Sequence, residues 1–151
     1  MHDCLAINGG PKTIDYDFIR YNPIGEDEAK AAYDVVKSGV LSDFLGKWDP
    51  KFYGGPNVRA LECEWSGVFK TNDSIAFNSA TSALAAAIGA ADVGAGDEVI
   101  VSPYTMSASA TSILSYNGIP VFADIDENTF NMSYDEIKSK ITKHTKAIML
   151  P

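Results

Sequence analysis

The second half of the chain alternates short apolar runs with segments of helical periodicity, and this alternation constrains the fold more than any other feature of the sequence. It begins after Asn72-Asp73 and continues to the last residues. Strands separated by helices need crossover connections, which make the strands parallel and place the helices on the faces of the sheet. The sequence therefore predicts an α/β fold of three layers, with a mostly parallel sheet covered by helices.

The predicted elements of this half are four strands and three helices, separated by turns rich in Gly, Asp and Asn. The strands are Ser74 to Asn78, Glu98 to Ser102, Ile119 to Asp124 and Lys146 to Leu150, and the helices are Thr81 to Ala91, Thr105 to Tyr116 and Ser133 to Lys140. Ser133 is the expected N-cap of the last helix, with Glu136 three positions later as in a capping box.

The first half is predicted to hold two helices and two irregular segments. Residues 1–24 carry little periodicity and form an N-terminal arm. Glu26 to Ser38 is an amphipathic helix that stops at Gly39, and a second helix runs from Asn57, its expected cap, to Phe69. Between them, Val40 to Pro56 forms a loop rich in aromatic residues. Contact with a ligand or partner chain and packing of the loop on itself both remain open for this segment.

Residues 25–151 are predicted to be one incomplete domain. The final apolar run, Lys146 to Leu150, is followed by neither a loop nor a helix. We therefore expect the polypeptide to be the N-terminal piece of a longer chain, which would be marginally stable or self-associating by itself. A complete domain of four strands is the alternative.

Composition excludes several classes of function. A net charge of −8 argues against nucleic acid as a partner, because phosphate backbones bind basic surfaces. The sequence contains neither an apolar run long enough for a membrane span nor a signal peptide, so the cytoplasm is the expected location. The cysteines Cys4 and Cys63 and the histidines His2 and His144 are too scattered to predict a disulfide framework or a zinc site.

The most informative turn follows the first predicted strand. Ligands of an open parallel sheet collect beyond the carboxyl ends of its strands. There, Ser79, Ala80 and Thr81 combine hydroxyl groups, a small side chain and the free amides of a helix start, which together favour a bound phosphate. The alternative is that Ser79 is only an N-cap.

Two further turns lie at the same edge. The turn after the second strand carries Tyr104 and Met106, an aromatic and a thioether side chain against which a flat ring could rest. The turn after the third strand contains Asp124 and Asp126, whose spacing resembles a metal-binding motif but is equally that of a strand end entering a turn. We predict no metal site there.

Several segments, in this order and spacing, resemble the sugar aminotransferases of the DegT/DnrJ/EryC1/StrS family. They are Leu5 to Pro11, Glu26 to Ser42, Asn78 to Leu84 (NSATSAL), Gly94 to Val101 (GAGDEVIV), Pro103 to Leu114, Pro120 to Asp126 (PVFADID) and Thr145 to Ile148. The resemblance implies the N-terminal part of the large domain of a fold-type-I enzyme that uses pyridoxal 5'-phosphate (PLP). It also implies a homodimer with sites at the subunit interface and a keto-sugar nucleotide aminated at the expense of glutamate.

Carried over by position, the resemblance assigns the cofactor phosphate to the turn at Ala80 and Thr81. The family usually has glycine where this chain has Ala80, which is tolerable if the backbone there is helical. The family's ring-stacking aromatic residue is here Met106, so Tyr104 is expected to share that role.

No catalytic residue is assigned within the chain. The carboxylate that pairs with the pyridine nitrogen and the lysine that forms the Schiff base are expected beyond Pro151, so this piece alone should not transaminate. Two alternatives stay open. One is a PLP-dependent sugar dehydratase with histidine in place of that lysine, and the other is a non-catalytic module that dimerises and holds a phosphate ligand.

Overall fold

The computed structural model describes residues 4–150, which form two compact units divided between Gly55 and Pro56. The first unit contains helix α1, Glu26–Ser38, with the bounds predicted from its periodicity. The amide of Gly25 donates to the Glu28 carboxylate over 2.7 Å at its start, and this bond lowers the pKa of Glu28. The helix ends at Gly39, whose φ of 74° suits glycine.

Among the described residues, the arm and the aromatic loop are irregular apart from two 3-10 turns, and Pro56, the last residue predicted for the loop, instead begins the helix Pro56–Phe69. The part of the arm that is described, residues 4–24, contains one 3-10 turn at Ala6–Asn8 and no strand or α-helix. Residues 1–3 of the predicted arm lie outside the described residues. The described part of the arm therefore has no amphipathic helix or strand with an apolar face that could pack against another element.

The aromatic loop packs partly on itself. A second 3-10 turn, Pro50–Tyr53, brings the rings of Phe52 and Tyr53 to a centroid distance of 5.3 Å. Lys51 forms an ion pair with Asp43 over 2.8 Å. Nevertheless, the side chain of Trp48 is 87% exposed.

The second unit holds the remaining elements. They are α2 Pro56–Phe69, α3 Ala80–Ala90, β1 Glu98–Val101, α4 Ser107–Leu114, β2 Ile119–Phe122, α5 Tyr134–Lys140 and β3 Thr145–Met149. The strands form a sheet of order β2-β1-β3 in which both pairings are parallel. The predicted α/β class with a parallel sheet is therefore confirmed.

Three helix starts differ from the predicted ones, and α3 differs by one residue, beginning at Ala80 instead of Thr81. Helix α2 begins at Pro56, so Asn57 lies inside the helix and is not its cap; proline suits a first turn because its missing N–H would be unpaired there anyway. Helix α4 begins at Ser107 instead of Thr105, because Met106 has the extended angles φ −65° and ψ 143°. The N-cap prediction for α5 is confirmed, since the amide of Glu136 donates to Ser133 Oγ over 3.5 Å.

The strand predicted at Ser74 to Asn78 is also wrong, so the described residues contain three strands and not four. A strand needs a neighbour for its amides and carbonyls, and none of the described residues provides one for this segment. Its amide at Ala76 donates instead to the Glu62 carboxylate of α2 over 2.8 Å. Ser74 Oγ lies 2.8 Å from Ser66 Oγ of the same helix.

The core of the second unit surrounds β1. The side chains of Val99, Ile100 and Val101 are at most 1% exposed. Ile88 of α3 and Ile113 of α4 pack against this strand. No helix of residues 4–150 has the length and apolarity needed to cross a membrane.

A glycine at the edge of this core gives a test of its packing. A Cβ at Gly118 would lie 2.8 Å from Val93 Cγ1 and 3.0 Å from Ile113 Cγ2. Because both neighbours belong to the core, we expect Gly118→Ala to lower the free energy of unfolding by about 1 to 3 kcal/mol, the usual cost of overpacking. Denaturant unfolding of the full-length protein measures the change.

Gly94→Ala is the matched control, because a Cβ there would meet only Asp97 Oδ2, at 3.9 Å. We expect this variant to unfold within about 0.5 kcal/mol of the unaltered protein. Equal stability of both variants would contradict the packing described for Gly118.

Candidate functional site

The first turn of α3 brings three of the predicted site residues together. Ser79 caps the helix: its hydroxyl accepts from the amide of Ser82 over 3.2 Å and lies 3.1 Å from Ser82 Oγ. Ala80 and Thr81 are the first two helical residues. Among residues 4–150, no hydrogen bond uses their two amides or the Thr81 hydroxyl, and Thr81 is exposed. The turn therefore presents an unpaired donor set at the positive end of an α-helix.

Alanine at position 80 is compatible with this backbone. Ala80 belongs to α3, and it is absent from the residues whose φ is positive. Glycine's conformational freedom is therefore not required there. A methyl group is the smallest addition to that surface, so the donors of the turn stay accessible.

The loop between β1 and α4 carries the other two predicted site residues. Ser102 is fully buried directly after β1, and its hydroxyl accepts from the amide of Tyr104 over 3.1 Å. Met106 precedes the first residue of α4. The side chains of Tyr104 and Met106 are 64% and 76% exposed. Both side chains are therefore available for contact with a ligand.

The connectivity places both groups at one edge of the sheet. Helix α4 leaves the carboxyl end of β1, and α3 returns the chain to the amino end of β1, so both helices begin at the carboxyl edge. These two helices also pack against each other. Within residues 4–150, no hydrogen bond links Ser79, Ala80 or Thr81 to Tyr104 or Met106.

Sequence reasoning missed one residue at this edge, Phe130. Its ring lies 5.7 Å from that of Tyr104, with an angle of 36° between the ring planes. The rings are tilted against each other, and their centroid distance lies within the range of about 4.5 to 7 Å in which aromatic side chains attract. The one signal in the sequence that could have pointed to Phe130 is that it is an aromatic residue within an otherwise polar turn.

Asp126, the second aspartate of the metal-like motif, shapes that turn. Its Oδ1 accepts from the amides of Thr129 and Asn128, each over 2.9 Å. These bonds stabilise the carboxylate and lower the pKa of Asp126. The described part of the chain contains no cluster of three or more metal-ligating side chains. The hydrogen bonds of Asp126 to its own turn therefore explain why an aspartate stands at this position.

Comparisons with known proteins give a consistent result. Residues 26–150 match the sequence profile of the DegT/DnrJ/EryC1/StrS aminotransferase family. The chain is 37% identical over 126 residues to the spore coat polysaccharide biosynthesis protein SpsC of Bacillus subtilis. The aligned residues cover 83% of this chain and 30% of SpsC. It is 39% identical over 124 residues to the UDP-N-acetyl-3-dehydro-alpha-D-glucosamine 3-aminotransferase of Acidithiobacillus ferrooxidans, covering 81% of this chain and 33% of that enzyme.

A third relative is the L-glutamine:scyllo-inosose aminotransferase of Streptomyces griseus, which is 31% identical over 148 residues. This match covers 98% of this chain and 34% of the relative. The chain thus spans about a third of the length of the curated relatives that it matches.

Solved structures agree with the sequence matches. An aminotransferase from Psychrobacter cryohalolentis superposes with a TM-score of 0.78 at 33% identity, covering 89% of this chain and 32% of that one. A second structure is the PLP form of Spr1654 of Streptococcus pneumoniae, described as a sugar aminotransferase. It superposes with a TM-score of 0.73 at 35% identity, and the match covers 83% of this chain and 29% of Spr1654.

The turn at Asp126 generates a prediction about pH. Because the folded state lowers the pKa of Asp126, its contribution to stability is fully present above the ordinary carboxyl pKa of 3.8 and is lost as the pH falls through the lowered value. We expect the unaltered protein to melt above Asp126→Asn at neutral pH, and this difference to shrink as the pH falls below 3.8. Calorimetry of the full-length protein over this range measures the difference.

Asp17→Asn is the matched control, because the described residues give Asp17 no hydrogen-bond partner. Its melting temperature at neutral pH should match that of the unaltered protein. A difference for Asp126→Asn that stays constant from neutral to acid pH would contradict the role assigned to the charge.

Proposed function

The chain belongs to the DegT/DnrJ/EryC1/StrS aminotransferase family, and from that premise we propose that the full-length protein is a PLP-dependent aminotransferase. Its proposed substrates are a keto-sugar nucleotide and an amino-acid donor, glutamate. In this proposal, residues 25–151 are the N-terminal part of the large domain of a fold-type-I enzyme. The observation that carries it is the donor set at the start of α3.

A phosphate dianion fits the first turn of α3 well. The amides of Ala80 and Thr81 and the Thr81 hydroxyl are three donors without partners among residues 4–150. The helix dipole adds a positive partial charge at the same place. The cap formed by Ser79 orders the turn before any ligand arrives, so little entropy is lost on binding.

The planar ring of the cofactor is assigned to the β1–α4 loop. Met106 would cover a ring face with its thioether, and Tyr104 would add an aromatic edge or face. Both are largely exposed in the structure. When bound, PLP supplies an electron sink for the negative charge that develops as an amino group is transferred. None of the chain's residues is proposed as its covalent anchor.

The substrate class rests on the relatives. One is named for a reaction on a UDP-linked keto sugar, which favours a sugar nucleotide for this protein. Another is named for an L-glutamine donor and scyllo-inosose, so the donor must be tested with glutamine beside glutamate. A homodimer, which the family resemblance implies, and a location in the cytoplasm are part of the same proposal.

The dehydratase alternative differs at one residue of the full-length protein. A lysine at the position that anchors the cofactor supports the aminotransferase, whereas a histidine there selects the dehydratase. Transfer of ¹⁵N from labelled glutamate or glutamine to a keto-sugar nucleotide, followed by mass spectrometry, tests the activity itself. Loss of water from the sugar without incorporation of ¹⁵N would contradict the proposal.

Substitutions at the start of α3 test the phosphate assignment. Thr81→Val keeps the side-chain volume but removes one hydrogen bond to a charged acceptor, a contact worth roughly 1.5 to 3 kcal/mol. We expect PLP affinity to fall by about one to two powers of ten. Ala80→Asp should weaken binding further, because it puts a carboxylate beside the phosphate. PLP absorbance titration of the full-length protein measures both.

Thr111→Val is the matched control, since Thr111 is an exposed threonine within α4 that lies outside the proposed site. It should bind PLP as the unaltered protein does. Unchanged affinity in both Thr81→Val and Ala80→Asp would mean that Ser79 only caps a helix and that the site lies elsewhere.

Met106→Phe tests the ring assignment in the opposite direction. Phenylalanine restores the aromatic residue that the family usually has there, and a stacked ring contributes more than a thioether contact. We expect PLP affinity to be maintained or improved. A clear loss of affinity in the same titration would contradict the ring-covering role assigned to Met106.

A further inference from the structure

Phe130 has a backbone conformation that its side chain disfavours. Its φ is +60°, in the left-handed region. The other residues besides glycine with positive φ are Lys70, Asp92 and Asn117; aspartate and asparagine tolerate this region, whereas a bulky aromatic residue there is an outlier. Such strain persists only where the surroundings enforce it, and it is often found at functional sites.

The surrounding turn enforces this conformation. The amide of Phe130 donates to the carbonyl of Asp126 over 2.8 Å, and the amide of Asp126 donates to the carbonyl of Asn131 over 2.9 Å. The Asp126 carboxylate holds the intervening amides of Asn128 and Thr129. An antiparallel bridge between Ile125 and Met132 closes the base of the turn.

Burial does not explain why this strained position holds an aromatic ring. The side chain of Phe130 is 56% exposed, so it is not part of the core. Its observed aromatic partner is Tyr104, at a centroid distance of 5.7 Å. Glycine or asparagine would fit the backbone better, but neither would make this contact.

Tyr104 is held at two places. Its amide is bound by the buried hydroxyl of Ser102, which orients the backbone. Tyr104 is still 64% exposed with Phe130 in place, and a phenol ring with two side-chain torsions can change rotamer where few contacts hold it. The ring of Phe130 supplies one such contact.

We propose that Phe130 is a positioning residue for the cofactor site: through its ring, the strained turn after Asp126 holds Tyr104 in the orientation that covers the cofactor ring. This inference rests on the proposed function, because it needs PLP at the carboxyl edge of the sheet. Phe130 itself is not assigned any contact with the cofactor. Its effect on binding passes through Tyr104.

Substitutions of Phe130 separate the effect of its backbone strain on stability from the effect of its ring on cofactor binding. Phe130→Gly and Phe130→Asn both suit a left-handed backbone and both remove the ring. In the full-length protein, we expect the apo form of each variant to melt at or above the temperature of the unaltered protein. PLP affinity, measured by absorbance titration, should nevertheless fall about three- to tenfold, the range of an aromatic pair contact. Phe130→Tyr keeps the ring and should bind PLP within about twofold of the unaltered protein.

A double-mutant cycle locates the effect. In a Tyr104→Ala background, Phe130→Gly should cause no further loss of affinity, because the side chain that it positions is already absent. A loss that persists in that background would overturn the inference. So would unchanged affinity in Phe130→Gly and Phe130→Asn, or a loss accompanied by a matching fall in the apo melting temperature. Failure of the unaltered full-length protein to bind PLP would overturn the proposed function and this inference with it.

Discussion

The pairing of β1 on both sides by parallel strands is the interaction on which the rest of the second unit depends. β2 and β3 satisfy its backbone groups along both edges. Val99, Ile100 and Val101 can therefore be almost fully buried without leaving amides or carbonyls unpaired. Because the strand is rigid and buried, the residue that follows it, Ser102, is held at a defined place, and the loop beyond Ser102 begins from a fixed point.

The proposed site uses this rigidity in two ways. The helices that precede and follow β1 in the chain begin at its carboxyl edge, so the α3 donors that lack partners among residues 4–150 share that edge with the exposed side chains of the β1–α4 loop. The hydroxyl of Ser102 then fixes the backbone of Tyr104, and Phe130 contacts its ring. The proposed binding groups thus lie on the first turn of α3 and on the β1–α4 loop, beside a strand that is buried. Such an arrangement keeps the proposed binding groups accessible to a ligand while the buried strand keeps them ordered.

Local signals explain which elements could be predicted. The bounds of α1 follow from an amphipathic stripe, three acidic residues at its start and a glycine at its end. The same kind of signal located the Ser133 cap and the Ser79 cap. The segment Ser74 to Asn78 carries a strand-like pattern, but a strand forms only with a partner, and a local pattern cannot report whether a partner is present. The start of α4 depended on the angles of Met106, which its residue type does not determine.

The sequence by itself determined the α/β class, the order of the helices and strands that formed, and the turn at Ser79 to Thr81 as the first candidate for a phosphate, because each depends on periodicity or on residues adjacent in the chain. Only the tertiary structure decided that Phe130 meets Tyr104 across 26 positions of sequence. It also decided that the Asp126 carboxylate accepts from the amides of Asn128 and Thr129 and so orders its turn. The physical reason is that a ring contact between two separate loops arises from how strand ends are brought together, and residues far apart in the chain carry no local record of that proximity.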